Sequence, residues 1–437
     1  MGTEITLKIS GVTFDWSKND IGIHHGPLFQ EKDRKRLHCE QVNYAYYEEH
    51  GEDPAAMEMS FCRPLRAVLP RLEILGVRLS AIQLAYDTAA KEWADLKRIV
   101  ADGTGSKDSS SHQLDPMTFD EFLEYIRANP MPELDTTPNW GVHPDDKQRI
   151  RGRFDRNAAV ERIPFGWEHD QMAYSEQSYF VATTSFLGPY ATLRMLAECH
   201  ANLELDVVWQ YGPLVDSGWA PSDAFTAGPS RRQKTLIATE GSSDVHILTH
   251  ALKLLRPEIA DFFRFIDVSD RHPFSGTGSL ANFAEGLSKI DVHNQVLFVF
   301  DNDAEGVEAA ARVRRLKLPP NMSVLVLPDL VDFQQFPTQG PNGVTSSDIN
   351  GRAGAIECYL DLRLPNRPPA RVRWTSFKRD PDLYQGVLEH KGTYMDAFLE
   401  QSSQSLRDGG YDTSKIECVL DALIEECSRL AMVAAEV

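Results

Sequence analysis

The sequence predicts an α/β protein: a parallel-sheet domain preceded by a mixed α+β N-terminal domain and followed by a helical tail. Three observations predict it. Val296-Leu297-Phe298-Val299-Phe300 is an unbroken apolar run ending in Asp301-Asn302-Asp303, the pattern of a strand buried on both faces of a parallel sheet. Upstream, Thr235-Leu236-Ile237-Ala238-Thr239 ends in Glu240-Gly241. From 235 to 327, strand-like and helix-like segments alternate as β-α-β-α-β-α-β, which implies parallel strands joined by right-handed crossovers.

Each element follows from local signals. Gly241 permits a sharp turn after the 235–239 strand, and Ser242 or Ser243 can cap a helix running to about residue 255. Residues 262–269 read as the next strand and 279–290 as a helix. After the 296–300 strand come a helix over 306–316, a strand over 323–327 and a short helix over 353–362. Ligands of open α/β sheets bind at the carboxyl ends of the strands, where Glu240, Asp301 and Asp303 fall. Two acids one residue apart repel each other unless a cation lies between them, and hard Mg²⁺ or Mn²⁺ prefers carboxylate oxygen. The pattern reads as a divalent-metal site. A calcium-binding EF-hand loop begins in the same way, but its twelfth position must be Glu, and Arg312 stands there. The plainer readings are a solvated turn for the aspartate pair, a helix-dipole role for Asp244 and a solvated helix face for Glu357.

A Glu after the first strand with an Asp-x-Asp after the third resembles the Toprim domain of topoisomerases, bacterial primases and OLD-type nucleases, over roughly residues 234–362. The resemblance implies a Rossmann-like parallel sheet and a metal-dependent nuclease cutting DNA, with RNA as the lesser alternative. It makes Glu240, Asp301 and Asp303 the catalytic, metal-binding acids. Asp244 matches a further acid of the nuclease-like branch, and Glu357 a late acidic position. Two Mg²⁺ or Mn²⁺ ions are implied, with Arg352, Lys378 and Lys391 as candidate cations for the phosphate. OLD nucleases carry an ATPase, whereas here the nearest approach to a P-loop has Gln233 where its second Gly is required. An ATPase or regulatory partner subunit is therefore expected, with homo-oligomeric assembly. A topoisomerase would need a nucleophilic Tyr on a DNA-gate domain, and a primase zinc ligands; neither is recognised. A non-catalytic module that binds nucleic acid or a partner stays open.

The 437 residues suffice for two or three domains, divided as 1–230, 231–362 and 363–437. Hydrophobic content of 42% and charged content of 25% suit a soluble globular protein. No apolar run approaches the roughly 18 residues that span a bilayer, and no signal peptide opens the chain. A cytoplasmic protein is expected, with no membrane partner. Met1-Gly2 begins a formal myristoylation pattern, but a strand is the expected reading there. Six cysteines without a C-x-x-C pair read as reduced thiols. A net charge of −19 opposes nucleic-acid binding. Against that, Arg363, Arg367, Arg371, Arg373, Lys378 and Arg379 are interleaved with Trp374 and Phe377, as a stacking surface for unpaired bases would require. Lys147, Arg149, Arg151 and Arg153 form a second basic run. Either run can equally be a solvated face that pairs with the protein's acids.

In the N-terminal region, Ile5 to Ile9 alternates as a strand, and 63–100 is helical with a break near Gly76. A Gly/Ser/Asp-rich linker occupies about 101–117, a helix 119–127 and a loop-like stretch the residues to about 168, with another helix between 174 and 205. The opening strand, Arg71-Leu72-Glu73-Ile74-Leu75-Gly76 and Phe119-Asp120-Glu121-Phe122 resemble the N-terminal domain found fused to HEPN ribonucleases or Toprim domains. That resemblance implies a role in bacterial antiphage defence. HEPN ribonucleases carry Arg, four to six residues, then His. Arg194 with His200 has that spacing and is the alternative catalytic pair. Arg162 with His169 has it too, but Pro164 disfavours a helix there.

Overall fold

The computed structural model describes residues 2–104, 115–141, 143–165, 173–266, 276–290, 292–341, 343–365, 368–378 and 383–435. Arg367, Arg379, His169, the end of the expected 262–269 strand and most of the expected linker lie outside them. The chain divides into two compact units, Met1–Glu73 with Val77–Gly228, and Ile74–Gly76 with Pro229–Val437. Both mix helices with sheet, and among the described residues no helix is long and apolar enough to cross a membrane.

In the first unit, β1 (Glu4–Ile9), β2 (Val12–Lys18), β3 (Arg34–Arg36), β4 (Met59–Pro64) and β5 (Asp206–Gln210) form an antiparallel sheet in the order β2-β1-β5-β4-β3. The last strand in sequence lies at the centre, where its Trp209 is fully buried and stacks on Phe61. The helical stretch breaks at Gly76, whose φ of +86° suits glycine, into Leu65–Ile74 and Leu79–Thr104. This second helix runs about four residues into the expected linker. The Phe119–Arg127 helix starts at a reciprocal Thr118/Glu121 cap. The stretch expected to be loop-like contains a helix, Pro144–Arg151, with Pro first, two aspartates in its first turn and arginines in its last. Those residue types favour the two ends of a helix. The basic run there pairs with acids, Arg151 with Asp155 and Arg153 with Glu176.

In the second unit, β6 (Thr235–Ala238), β7 (Phe263–Phe265), β8 (Gln295–Phe300), a two-residue β9 (Asn302–Asp303) and β10 (Met322–Val326) follow in sequence. β10-β8-β6-β7 is a wholly parallel sheet. Every residue of β8 is buried, because helices cover both faces. Leu280, Ala284, Ala310 and Val313, from helices Thr277–Leu287 and Ala304–Arg314, pack with Val296, Phe298 and Phe300. Opposite, Ile247, Leu248, Leu420 and Leu423, from helices Ser242–Leu255 and Ser414–Ala435, pack with Ile237, Leu297 and Val299. The chain leaves β6 towards one edge and β8 towards the other. The crevice between their carboxyl ends is therefore a topological switch point, the site where such sheets bind ligands.

Two expectations need correcting. The short helix expected over 353–362 is instead β13 (Ala353–Gly354), paired antiparallel with β9, and a single 3-10 turn, Ile356–Tyr359. Ile356 donates its N–H to Asp301 rather than into a helix. The tail begins as strands, β14 (Val372–Lys378) and β15 (Leu383–Leu388), which join β11 (Phe336–Gly340) and β12 (Gly343–Ser347) of the preceding segment in a sheet of order β12-β11-β14-β15. Its final helix is one layer of the parallel sheet's core. An amphipathic helix shows in sequence that it has an apolar face, but not what that face covers.

Candidate metal centre

Five acids converge on the switch point. Glu240 follows β6, and its Oε1 accepts the backbone N–H of Asp301 at 3.1 Å while Oε2 accepts the Thr277 hydroxyl at 2.9 Å. Asp244 lies in the first turn of the next helix and accepts the Gly241 N–H at 2.8 Å. It thus performs the helix-start role of its plainer reading, yet it is buried and electrostatically coupled to Glu240 and Glu357. Asp301 Oδ1 accepts the Ile356 N–H at 3.0 Å. Asp303 caps the Ala304–Arg314 helix through Oδ1, accepting from Glu305 and Gly306 at 3.0 and 2.7 Å, and its Oδ2 accepts from Gln385 at 2.6 Å. Glu357 is 2% exposed, not on a solvated face, with Lys391 Nζ at 3.5 Å. Asn302, between the two aspartates, is turned to Asp329 and the Gly351 N–H, holding the neighbouring loop.

The electrostatics follow from this crowding. Burial first, then the charges of Asp244, Glu240, Asp303 and Glu357, hold the Asp301 carboxyl well above the usual range. Burial, with the charges of Asp303 and Glu305, pushes Glu240 up to about 7 against the lowering effect of its two hydrogen bonds. Burial, then Glu357 and Glu240, pushes Asp244 up to about 7 despite the Gly241 N–H and Lys391. Burial lowers the Lys391 ammonium, but Glu357, Asp301 and Asp244 more than restore it. Carboxylates this crowded favour protonation or a bound cation.

Gly306 makes the crowding possible. A Cβ there would lie 2.2 Å from the Asp301 carbonyl oxygen and 3.0 Å from Glu240 Oε1. Among the described residues, no three His, Cys, Asp or Glu side chains stand arranged to hold a metal ion; each acid is instead held by a protein donor. The donor set itself, five carboxylates without sulfur or imidazole, fits a hard dication such as Mg²⁺ or Mn²⁺.

In the basic stretch, Arg363 pairs with Asp361 and Asp412 while its side chain stays exposed, and Arg371 donates to Gln339. Arg373 is exposed on β14, Trp374 is half-buried against Tyr384, and Phe377 packs on Tyr384 with both rings about half exposed. Lys378 is the last residue of β14.

Residues 1–233 match HEPN/Toprim N-terminal domain 1. The chain belongs to this family. The match takes in 233 of 437 residues, and the membership makes the protein HEPN/Toprim-associated and so nuclease-associated. No curated protein and no solved structure matches the chain. Within this HEPN/Toprim N-terminal domain, Arg194 is nearly buried and paired with Glu73 at 3.0 Å and Glu198 at 2.8 Å. Its helix ends at Leu196, and His200, itself exposed, opens a 3-10 turn beyond it. The two therefore do not share a helix, as the HEPN pair was expected to. Arg162 is bonded to Glu121.

Sequence reasoning missed Gly306, Thr277 and Gln385. Gly306 carried a usable signal, a glycine three residues after the Asp-x-Asp. Thr277 and Gln385 carried none.

Proposed function

We propose that the second unit is a Toprim-type, OLD-like nuclease that hydrolyses phosphodiester bonds in DNA, ahead of RNA, with Mg²⁺ or Mn²⁺. The observation that carries this reading is the meeting of acids from two central parallel strands: Glu240, after β6, accepts the backbone N–H of Asp301, after β8, with Asp303 two residues on. Two bound cations would supply Lewis acidity and a water nucleophile at neutral pH. Asp301, Asp303 and Glu240 would hold them, and Asp244 and Glu357 would complete the set. Alternatively Glu240 would act as the general base rather than as a ligand. Arg352, Lys378 and Lys391 are the candidate cations for the phosphate, and Arg373 with Trp374, Phe377 and Tyr384 offers a track for the strand. Arg363 and Arg371 would extend that track.

The resemblance extends the reading to a cytoplasmic effector of antiphage defence, held inactive by assembly or by a partner that brings an ATPase. Purified protein incubated with plasmid, linear and single-stranded DNA and with RNA, in Mg²⁺ or Mn²⁺, tests the chemistry. Cleavage that disappears with chelator and with Asp301→Ala supports it. Phage protection undiminished by Glu240→Ala would sink the effector role. One observation favours a non-catalytic docking module, namely that no three acids stand in ligating arrangement among the described residues. Nucleic-acid binding indifferent to chelator, without cleavage, would decide for that module.

A further inference from the structure

The geometry points to Gln385 as a neutral oxygen donor to the cation held by Asp303, an inference that rests on the metal-centre reading above. Gln385 lies on β15, 82 residues after the aspartate it touches, and is 8% exposed. Its Nε2 donates to Asp303 Oδ2 at 2.6 Å, while its Oε1 is buried and meets no hydrogen-bond donor. Turning the amide over would set Oε1 against Oδ2, two acceptors face to face, so the orientation is dictated by the aspartate. A buried carbonyl oxygen without a donor is costly and is explained if a cation, or water bound to one, completes it.

The strand is well anchored. The Thr375 hydroxyl donates to the Gln385 carbonyl at 3.1 Å, and the Gly386 N–H donates to the Arg352 carbonyl at 3.1 Å. Residue 353 in turn pairs with Asp303. The amide is thus held beside the acids by backbone on either side. A hard dication takes six or more oxygens. An amide carbonyl adds one without adding a sixth negative charge to five crowded carboxylates.

Mn²⁺ binding to the full chain, followed by the electron paramagnetic resonance of the free ion, tests this. Asp301→Asn, Gln385→Leu and Gln385→Glu are compared with the parent, and melting in chelator checks that each folds. Gln385→Leu should bind Mn²⁺ about 10–100-fold more weakly. Gln385→Glu, which loses the donor to Asp303 but keeps an oxygen, should bind at least as well as the parent. Tyr384→Glu puts the same charge one residue along and measures how much of any gain is charge alone. Parent-like affinity in Gln385→Leu overturns the assignment of Gln385 while leaving the acid centre standing. Equal weakening in Gln385→Leu and Gln385→Glu overturns it too, by assigning the effect to Nε2. No Mn²⁺ binding by the parent overturns the metal-centre reading along with it.

Discussion

Gly306→Ala is the smallest change that should dismantle the acid cluster. The added Cβ would lie 2.2 Å from the Asp301 carbonyl oxygen, 0.8 Å inside the 3.0 Å limit that real Cβ atoms respect, and would touch Glu240 Oε1 at 3.0 Å. The first obstacle is backbone and cannot swing aside, so Asp301 itself must move by nearly 1 Å. Overpacking of this kind costs about 1–3 kcal/mol. For a unit of this size that is a fall in melting temperature of roughly 2–12 °C. A shift of about 1 Å at reacting groups costs on the order of 100-fold in rate. Gly286→Ala is the matched control, since a Cβ there meets nothing within 4 Å and the residue lies in the Thr277–Leu287 helix. That substitution should stabilise by roughly 0.4–1 kcal/mol. Thermal melting, Mn²⁺ affinity and plasmid cleavage of both variants would be measured together. A Gly306→Ala protein that melts, binds and cuts like the parent would refute the steric reasoning.

Other consequences can be checked in parallel. Glu240 and Asp244 sit near 7 in the folded state, above their ordinary values of 4.5 and 3.8. Their contribution to stability is then full below about pH 4 and lost as pH rises through 7. The melting temperature in chelator should fall between pH 5.5 and 8, and Mn²⁺ should restore it at pH 8 but not at 5.5; equal melting at both pH values in chelator would contradict this. Leu423→Ala, in a fully buried position of the last helix, should cost about 2–5 kcal/mol in denaturant unfolding, whereas a detached helical extension would lose almost nothing. His200→Ala should leave DNA and RNA cleavage unchanged, and loss of RNA cleavage would restore the HEPN alternative.

What could be read in the sequence was whatever local pattern determines. β6 and β8 were legible because strands buried on both faces are apolar without alternation, and Glu240, Asp301 and Asp303 because they interrupt those runs abruptly. The Phe119–Arg127 helix was legible through its own cap. Glu357 was named only through the family resemblance, because its burial depends on a turn held by Asp301 and on Lys391, 34 residues further along in sequence. The pairing of Arg363 was not legible either, because Asp412, which shares its guanidinium, is distant in sequence. Gln385 reaches Asp303 only because β15 lies against the segment that pairs with β9, a contact no local pattern encodes.

The central claim is that these acids hold the cation. An anomalous-scattering map from crystals of the full chain soaked in Mn²⁺ at pH 8 tests it most directly. Density is expected among Glu240, Asp301 and Asp303, absent from crystals of Asp301→Asn. Density elsewhere, or none at these acids while Mn²⁺ occupies other positions, would contradict it.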